Sequence, residues 1–334
     1  GIIPTYHTIG IIAPTLLVLM RILQGLCISG EGTGTAIFVL EHYKNFRPGV
    51  ITGFVHASNI AGTILASFIA LILNKYLLIT WSWRIAFIIG GIMGIIGFYL
   101  RSHVAESPEF EAIQSRKETL ATPFRNVCKT AWRSMLITFI IAGMASNIVY
   151  FIKGYLNIFI SNIHDISIEE ALKYFTYSNF ITMISMPLGG LIIDKIQVKN
   201  FIYKIILGIG LLILPLIYII SQPSIVLMIF GLTGIAFLAG CMATTAYIFT
   251  MSLFTTQQRV SGVSASYNSG VALFGGTTPM VCDVIYRYTS SPYSPAYYVI
   301  SMSIITIITL MYYRKYISDT SMKSNLLGLI AEYL

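Results

Sequence analysis

The stretch IILGIGLLILPLIYIISQPSIVLMIFGLTGIAFLAGCMATTAYIFTMSLFTTQQ, from Ile205 to Gln258, decides the fold of this chain. It contains no Asp, Glu, Lys or Arg, and it is too long for one crossing of a bilayer, which takes about 20 apolar residues of helix. The turn-forming residues from Ser221 to Ser224 divide it in two. Because lipid offers no partner for exposed backbone amides, the two halves are predicted to form a transmembrane helical hairpin.

Similar apolar blocks fill the rest of the chain. Of its 334 residues, 56% are hydrophobic and only 10% are charged, and the mean hydropathy is +0.78. These blocks predict an all-α polytopic membrane protein with nine transmembrane helices. The predicted spans are 14–42, 50–74, 85–101, 134–162, 172–193, 204–221, 224–252, 260–286 and 295–313.

The basic residues predict the orientation of these helices. Of the 21 Lys and Arg residues, fifteen fall on one side of the membrane and five on the other, counting Lys153 with the five. Since cytoplasmic loops carry the excess of Lys and Arg, the N-terminus is predicted outside and the C-terminus in the cytoplasm.

A long polar loop predicts how the chain is divided, because it separates three spans from six. The predicted segments are a three-helix half-bundle (1–104), a cytoplasmic connecting loop (105–133), a six-helix bundle (134–318) and a cytoplasmic tail (319–334).

Other classes of function lack the residues that they need. The net charge of +8 is spread over the predicted cytoplasmic loops, where topology and anionic lipid head groups explain it, so no nucleic-acid partner is expected. The four cysteines form no CxxC pair and the five histidines form no cluster, so no metal site is expected. The sequence has no HExxH, GxSxG or P-loop motif, and neither enzymatic activity nor a cofactor is predicted.

Polar residues inside a span are the first candidates for function, because inserting a charged side chain at mid-bilayer costs roughly 2.5–3.5 kcal/mol. On a continuous helix over 14–42, Arg21, Gln24 and Glu31 lie on one side. Gly25 and Gly30 beside them allow close helix packing. Glu31 is interpreted either as a carboxylate that couples transport to protons or cations, or as a neutralised carboxylate that only fixes helix packing.

Lys153 is the second charged residue inside a span. One interpretation is that its long side chain reaches the outer surface of the membrane along the helix. The other is that it anchors the carboxylate of a substrate, in which case Tyr150, Tyr155 and Asn157 complete the site.

Pro187, Pro215 and Pro279 interrupt spans, and Gly275 and Gly276 add flexibility beside the last of them. Kinks are predicted there, with hinge motion and passive packing as open alternatives.

Several motifs resemble one known family. They are RILQG at 21–25, SGE at 29–31, FVLE at 38–41, WSWRIAF at 81–87, ESPEF at 106–110, YN at 267–268, and FGGT at 274–277 followed by Pro279. In this order they resemble the metabolite:proton symporter family within the major facilitator superfamily. The segment GLIIDK at 190–195, with Gly190, Asp194 and Lys195, resembles a degenerate second copy of the superfamily's inner-loop motif.

The resemblance implies a twelve-helix fold of two six-helix bundles that rock about a central site. The nine spans then correspond to helices four to twelve, and the first three helices lie outside this sequence. The family implies uptake of a small polar metabolite together with protons across the bacterial cytoplasmic membrane. It makes Arg21, Gln24 and Glu31 inherited polar positions and adds Tyr267 and Asn268 as candidate substrate-site residues.

The substrate stays open between two classes. Zwitterionic compatible solutes such as proline or betaine are expected first, and di- or tricarboxylates are the alternative, favoured only by Lys153. A third possibility is a chain that transports nothing alone, either as an inert remnant or because a separately encoded fragment supplies the missing helices.

Overall fold

The computed structural model describes residues 2–28, 31–43, 46–76, 79–103, 123–196 and 198–323. Within these ranges the chain is helical and has no β-strand, as predicted. The first group of helices comprises α1 (Tyr6–Ile9), α2 (Ile12–Ile28), α3 (Glu31–His42), α4 (Pro48–Tyr76) and α5 (Ile79–Ser102).

The second group begins with the short helix α6. Its helices are α6 (Pro123–Thr130), α7 (Trp132–Tyr150), α8 (Leu156–His164), α9 (Ile168–Ile196), α10 (Val198–Ile220), α11 (Ile225–Met251), α12 (Thr256–Gly270), α13 (Gly276–Thr289), α14 (Ser294–Tyr312) and α15 (Arg314–Lys323). The predicted loop at 105–133 falls largely outside the described residues, but its end forms α6.

Seven helical segments in the described part of the chain are long and apolar enough to cross a membrane. They coincide with seven of the nine predicted spans, including the hairpin of α10 and α11. The predicted span 14–42 is described as two helices, α2 and α3, and the predicted span 260–286 falls on the more polar α12 and α13. Both regions are helical, but a total of nine crossings stays a prediction.

Two crossings contain a π-helical turn. Phe151–Tyr155 joins α7 to α8, where the Leu156 N–H donates to the Phe151 carbonyl oxygen. Val271–Gly275 joins α12 to α13 with the same bond pattern, from the Gly276 N–H to the Val271 carbonyl oxygen. The second turn ends four residues before Pro279. In a regular α-helix the proline ring would clash with the carbonyl group of Gly275. The irregularity predicted at Gly275, Gly276 and Pro279 is therefore a widened turn in a continuous helix.

These two irregular crossings pack closely against each other. An ideal Cβ on Gly275 would lie 2.7 Å from the Ser146 Cβ, and Gly154 faces the ring of Pro279. About one turn nearer the start of α7, Gly143 lies against the ring of Phe274. Small residues let the backbones approach, and each π-helical turn packs against the α-helical part of the other segment.

The second group has a continuous core, whereas large apolar side chains on its outer faces are exposed. Ile209, Ile213 and Ile217 on α10 are fully buried, and Gly231 on α11 allows Ile220 to approach closely. Exposed side chains such as Leu211 lie on the opposite side of α10. This distribution suits a bundle that is surrounded by lipid.

Candidate functional site between the two groups of helices

Helix α4 connects the first group to the second. It runs antiparallel to α9 and also contacts α11, so that α9 and α11 form the second group's side of the contact. A small apolar cluster joins them and consists of Ala57, Ile60, Met186 and Ala243, with Val149 packed against it. Side chains of α4 that face this contact are therefore candidates for a site shared by both groups.

The backbones of α4 and α9 approach most closely near the start of α4. An ideal Cβ on Gly53 would lie 2.6 Å from the Met186 carbonyl oxygen and 2.7 Å from the Pro187 Cα. Gly49 meets the backbone of Gly190 in the same way one turn earlier. Gly62 lies on the opposite face of α4, and in the described part of the chain nothing lies within 4 Å of an ideal Cβ there. The two groups are thus closed at the end that is predicted to face the cytoplasm.

A carboxylate holds this closed end. Asp194 on α9 accepts hydrogen bonds from the Gly49 N–H at 2.7 Å and from the Val50 N–H at 3.1 Å. Both donors lie in the first turn of α4, where backbone N–H groups lack helical partners and the helix dipole favours a negative charge. The inner-loop motif is therefore placed with Gly190 and Asp194 in the contact, while Lys195 is exposed.

Lys153 lies in the π-helical turn of the crossing formed by α7 and α8 and is half-buried. This turn packs against α9, the helix that also contacts α4 of the other group. Lys153 therefore lies beside the helix that joins the two groups, and both the anchor interpretation and the extension to the outer surface stay predictions.

The three neighbours predicted for Lys153 do not share one surface. Tyr150 is 36% exposed, and its ring lies beside Gly275. Tyr155 is fully buried among Phe151 and Phe159, with ring centroids 5.8 and 5.9 Å away. Tyr155 therefore belongs to the bundle core, whereas Tyr150 is accessible at its surface.

Asn157 and Asn268, the two predicted amides, are half-buried. The Asn157 Oδ1 has no hydrogen-bond partner among the described residues. Asn268 donates to the Ser264 carbonyl oxygen of its own helix at 2.8 Å.

Asn147, which was not predicted, links two crossings in the bundle interior. Its Nδ2 donates to the Thr278 hydroxyl at 3.0 Å, and both side chains are fully buried.

Two aromatic residues in the central contact were also missed. The His56 ring stands edge-to-face with the Tyr247 ring at a centroid distance of 4.5 Å, and Tyr247 stands edge-to-face with Tyr267 at 5.1 Å. The sequence gives no local sign of this cluster, because His56 and Tyr247 lie in different groups of helices and neither forms part of a short motif.

The polar residues of the first predicted span are only partly described. The Arg21 Nη1 donates to the Gln24 Oε1 at 3.1 Å, and the guanidinium lies 5.3 Å from the Phe87 ring centroid. Both side chains are exposed, and the space beside Gly25 is open. Gly30 and the side chain of Glu31 lie outside the described part, so the role of Glu31 stays a prediction.

No group of three or more His, Cys, Asp or Glu residues that could hold a metal ion exists among the residues whose positions are described.

Comparisons with known proteins agree with this architecture. The sequence pattern of the Major Facilitator Superfamily matches residues 3–279. The proline/betaine transporter of Escherichia coli strain K12 is 28% identical over 323 residues, which cover 92% of this chain and 64% of that protein. The glycine betaine/proline/ectoine/pipecolic acid transporter OusA of Dickeya dadantii is also 28% identical, over 327 residues, with the same coverages. The chain thus spans less than two thirds of the length of these relatives.

A solved structure shows the same fold. The proton:xylose symporter XylE, bound to 6-bromo-6-deoxy-D-glucose, superimposes with a TM-score of 0.54 at 15% identity. The match covers 81% of this chain and 64% of that structure.

Proposed function

Because the chain belongs to the major facilitator superfamily, we propose that it carries a small zwitterionic solute, such as proline or betaine, across a bacterial cytoplasmic membrane. Uptake occurs by alternating access and is driven by proton entry. The N-terminus of the chain lies outside and the C-terminus lies in the cytoplasm. Two relatives are named as transporters of such solutes, and their names suggest this substrate class.

One observation carries the proposal: a half-buried lysine, Lys153, lies in a π-helical turn that packs against α9, the helix that contacts α4 of the other group. An ionised residue inside a membrane protein usually faces a polar cavity and marks a substrate or ion pathway. Lys153 supplies a cation that can hold the carboxylate common to proline and betaine.

The contact between α4 and α9 is the contact that must open and close during transport. Asp194 bonds the first turn of α4, and Gly53 allows the helices to touch, so this end opens only when both contacts break. Alternating access requires such a contact to form at one end while the other end is open. Glu31 is proposed as the carboxylate that couples solute movement to protons.

Ligand competition tests the substrate class. We expect labelled glycine betaine to bind the purified chain in detergent, unlabelled proline to displace it, and succinate to have no effect. Displacement by succinate, with none by proline, would establish the dicarboxylate alternative instead.

Lys153→Met tests the anchor in the same assay. Because a charge-assisted contact to the carboxylate is lost, affinity for glycine betaine should fall at least about tenfold. Lys173→Met is the control, since Lys173 is exposed on α9. Unchanged affinity in Lys153→Met would show that this lysine extends to the membrane surface rather than into the site.

A further inference from the structure

Three aromatic side chains from three helices meet where the two groups of helices touch. His56 comes from α4, Tyr247 from α11 and Tyr267 from α12. The planes of the first pair form an angle of 73°, and those of the second pair form an angle of 75°. Adjacent ring faces therefore stand nearly at right angles, so that a rounded group can contact more than one face.

The three side chains differ in how open they are. Tyr247 is only 2% exposed and forms the back of the cluster, whereas His56 and Tyr267 are half-buried. The His56 Nε2 is buried and has no hydrogen-bond partner within the described ranges. The cluster thus presents two partly open rings and a polar atom that is not used by the fold.

The faces of aromatic rings attract cations, most of all those that are poorly hydrated, such as methylated ammonium groups. Lys153 lies in the π-helical turn that packs against α9, at the same contact between the two groups, and its positive charge would repel a simple cation. A small zwitterion suits both the rings and the lysine, because its carboxylate can face Lys153 while its ammonium group faces the rings.

We propose that His56, Tyr247 and Tyr267 form an aromatic pocket that receives the ammonium group of the zwitterionic solute. The inference rests on the proposed function and deepens it, because it assigns the two ends of the substrate to different side chains. Since His56 belongs to one group of helices and the tyrosines belong to the other, the pocket is complete only while the groups are close. Substrate binding therefore favours their approach.

A pair of ligands with the same shape tests the pocket. Glycine betaine and tert-butylacetate differ only in the central atom of the bulky group, which is a cationic nitrogen in one and a neutral carbon in the other. Both ligands compete with labelled glycine betaine for the purified chain, and the measured quantity is the ratio of their affinities. The unaltered chain should prefer glycine betaine by about tenfold or more.

Tyr267→Leu should reduce this preference by roughly 3- to 30-fold, while the affinity for tert-butylacetate stays nearly constant. Tyr267→Phe should retain the preference, because the ring remains. Tyr312→Leu is the matched control, since the Tyr312 ring also stands edge-to-face with a neighbour, Tyr313, but is exposed at the end of α14. If Tyr267→Leu fails to fold, His56→Leu applies the same test from α4.

The outcomes are distinguishable. If the folded, unaltered chain binds neither glycine betaine nor proline, the proposed function and the pocket are refuted together. If the chain binds glycine betaine but shows no preference over tert-butylacetate, the proposed function stands and the pocket is refuted. The pocket is also refuted if Tyr267→Leu weakens both ligands equally, because the tyrosine then only supports packing.

Discussion

Gly53→Ala should open the end of the molecule at which α4 meets α9. The added Cβ would lie 2.6 Å from the Met186 carbonyl oxygen and 2.7 Å from the Pro187 Cα. Both are backbone atoms, so a side-chain rotation cannot relieve the clash. Ordinary contacts of a Cβ begin at 3.4 Å, and the helices must therefore separate by about 0.8 Å at this level.

The cost of this overpacking sets the size of the effect. Adding a methyl group to a well-packed contact costs about 1–3 kcal/mol. The penalty applies only while α4 and α9 touch, so it lowers the ratio of closed to open molecules by about 5- to 150-fold. The variant should consequently spend much more time open at the predicted cytoplasmic end.

Gly62→Ala is the matched control on the same helix. Both substitutions gain about 1 kcal/mol of helix propensity. In the described structure nothing lies within 4 Å of the new Cβ at Gly62, so Gly62→Ala should leave the ratio unchanged. Any difference between the variants therefore reports the contact with α9 alone.

Distances between two spin labels measure the opening. Cysteines placed at Phe46, before α4, and at Asn200, on α10, carry the labels at exposed positions on the two groups of helices. In a background without other cysteines, pulsed electron paramagnetic resonance should show a longer distance in Gly53→Ala than in Gly62→Ala. Identical distance distributions in the two folded variants would refute the closed contact.

Three further predictions concern single side chains. Asp194→Asn should destabilise the closed contact by about 1 kcal/mol, because the charge at the start of α4 is lost. The same spin labels should show that the ratio of closed to open molecules falls about fivefold. Asp283→Asn, in an exposed pair with Arg287, should leave this ratio unchanged. Thr278→Val removes the acceptor for Asn147 and should lower the free energy of unfolding by about 0.6–1.7 kcal/mol in denaturant titrations; Thr277→Val, whose hydroxyl bonds only its own helix in the described structure, should cost less. Glu31→Gln should abolish accumulation driven by a pH gradient more severely than it weakens substrate binding, and surviving accumulation would make Glu31 structural.

The sequence predicted those parts of the fold that depend on local composition. The hairpin of α10 and α11 is confirmed at the turn from Ser221 to Ser224, because apolar length and turn residues act within one short stretch. The motif at 190–195 indicated the importance of Asp194, but only the structure shows that its partners are the Gly49 and Val50 amides.

The central cluster could not be predicted for a physical reason. The neighbours of a membrane helix are set by packing between helices that lie far apart in sequence. His56 and Tyr247 look like ordinary residues in their own spans, and Tyr155 looked equivalent to Tyr150 until the π-helical turn placed it in the core.

The central proposal is coupled solute uptake by this chain, and transport into proteoliposomes tests it most directly. Vesicles containing the purified chain are given an alkaline interior, and labelled glycine betaine is added outside, with and without a protonophore. We predict that the solute accumulates inside to a concentration above the external one, and that the protonophore abolishes this accumulation. If folded protein in these vesicles takes up no more than empty vesicles do, while the E. coli relative in parallel vesicles accumulates the solute, the chain alone does not transport it and the proposal is contradicted.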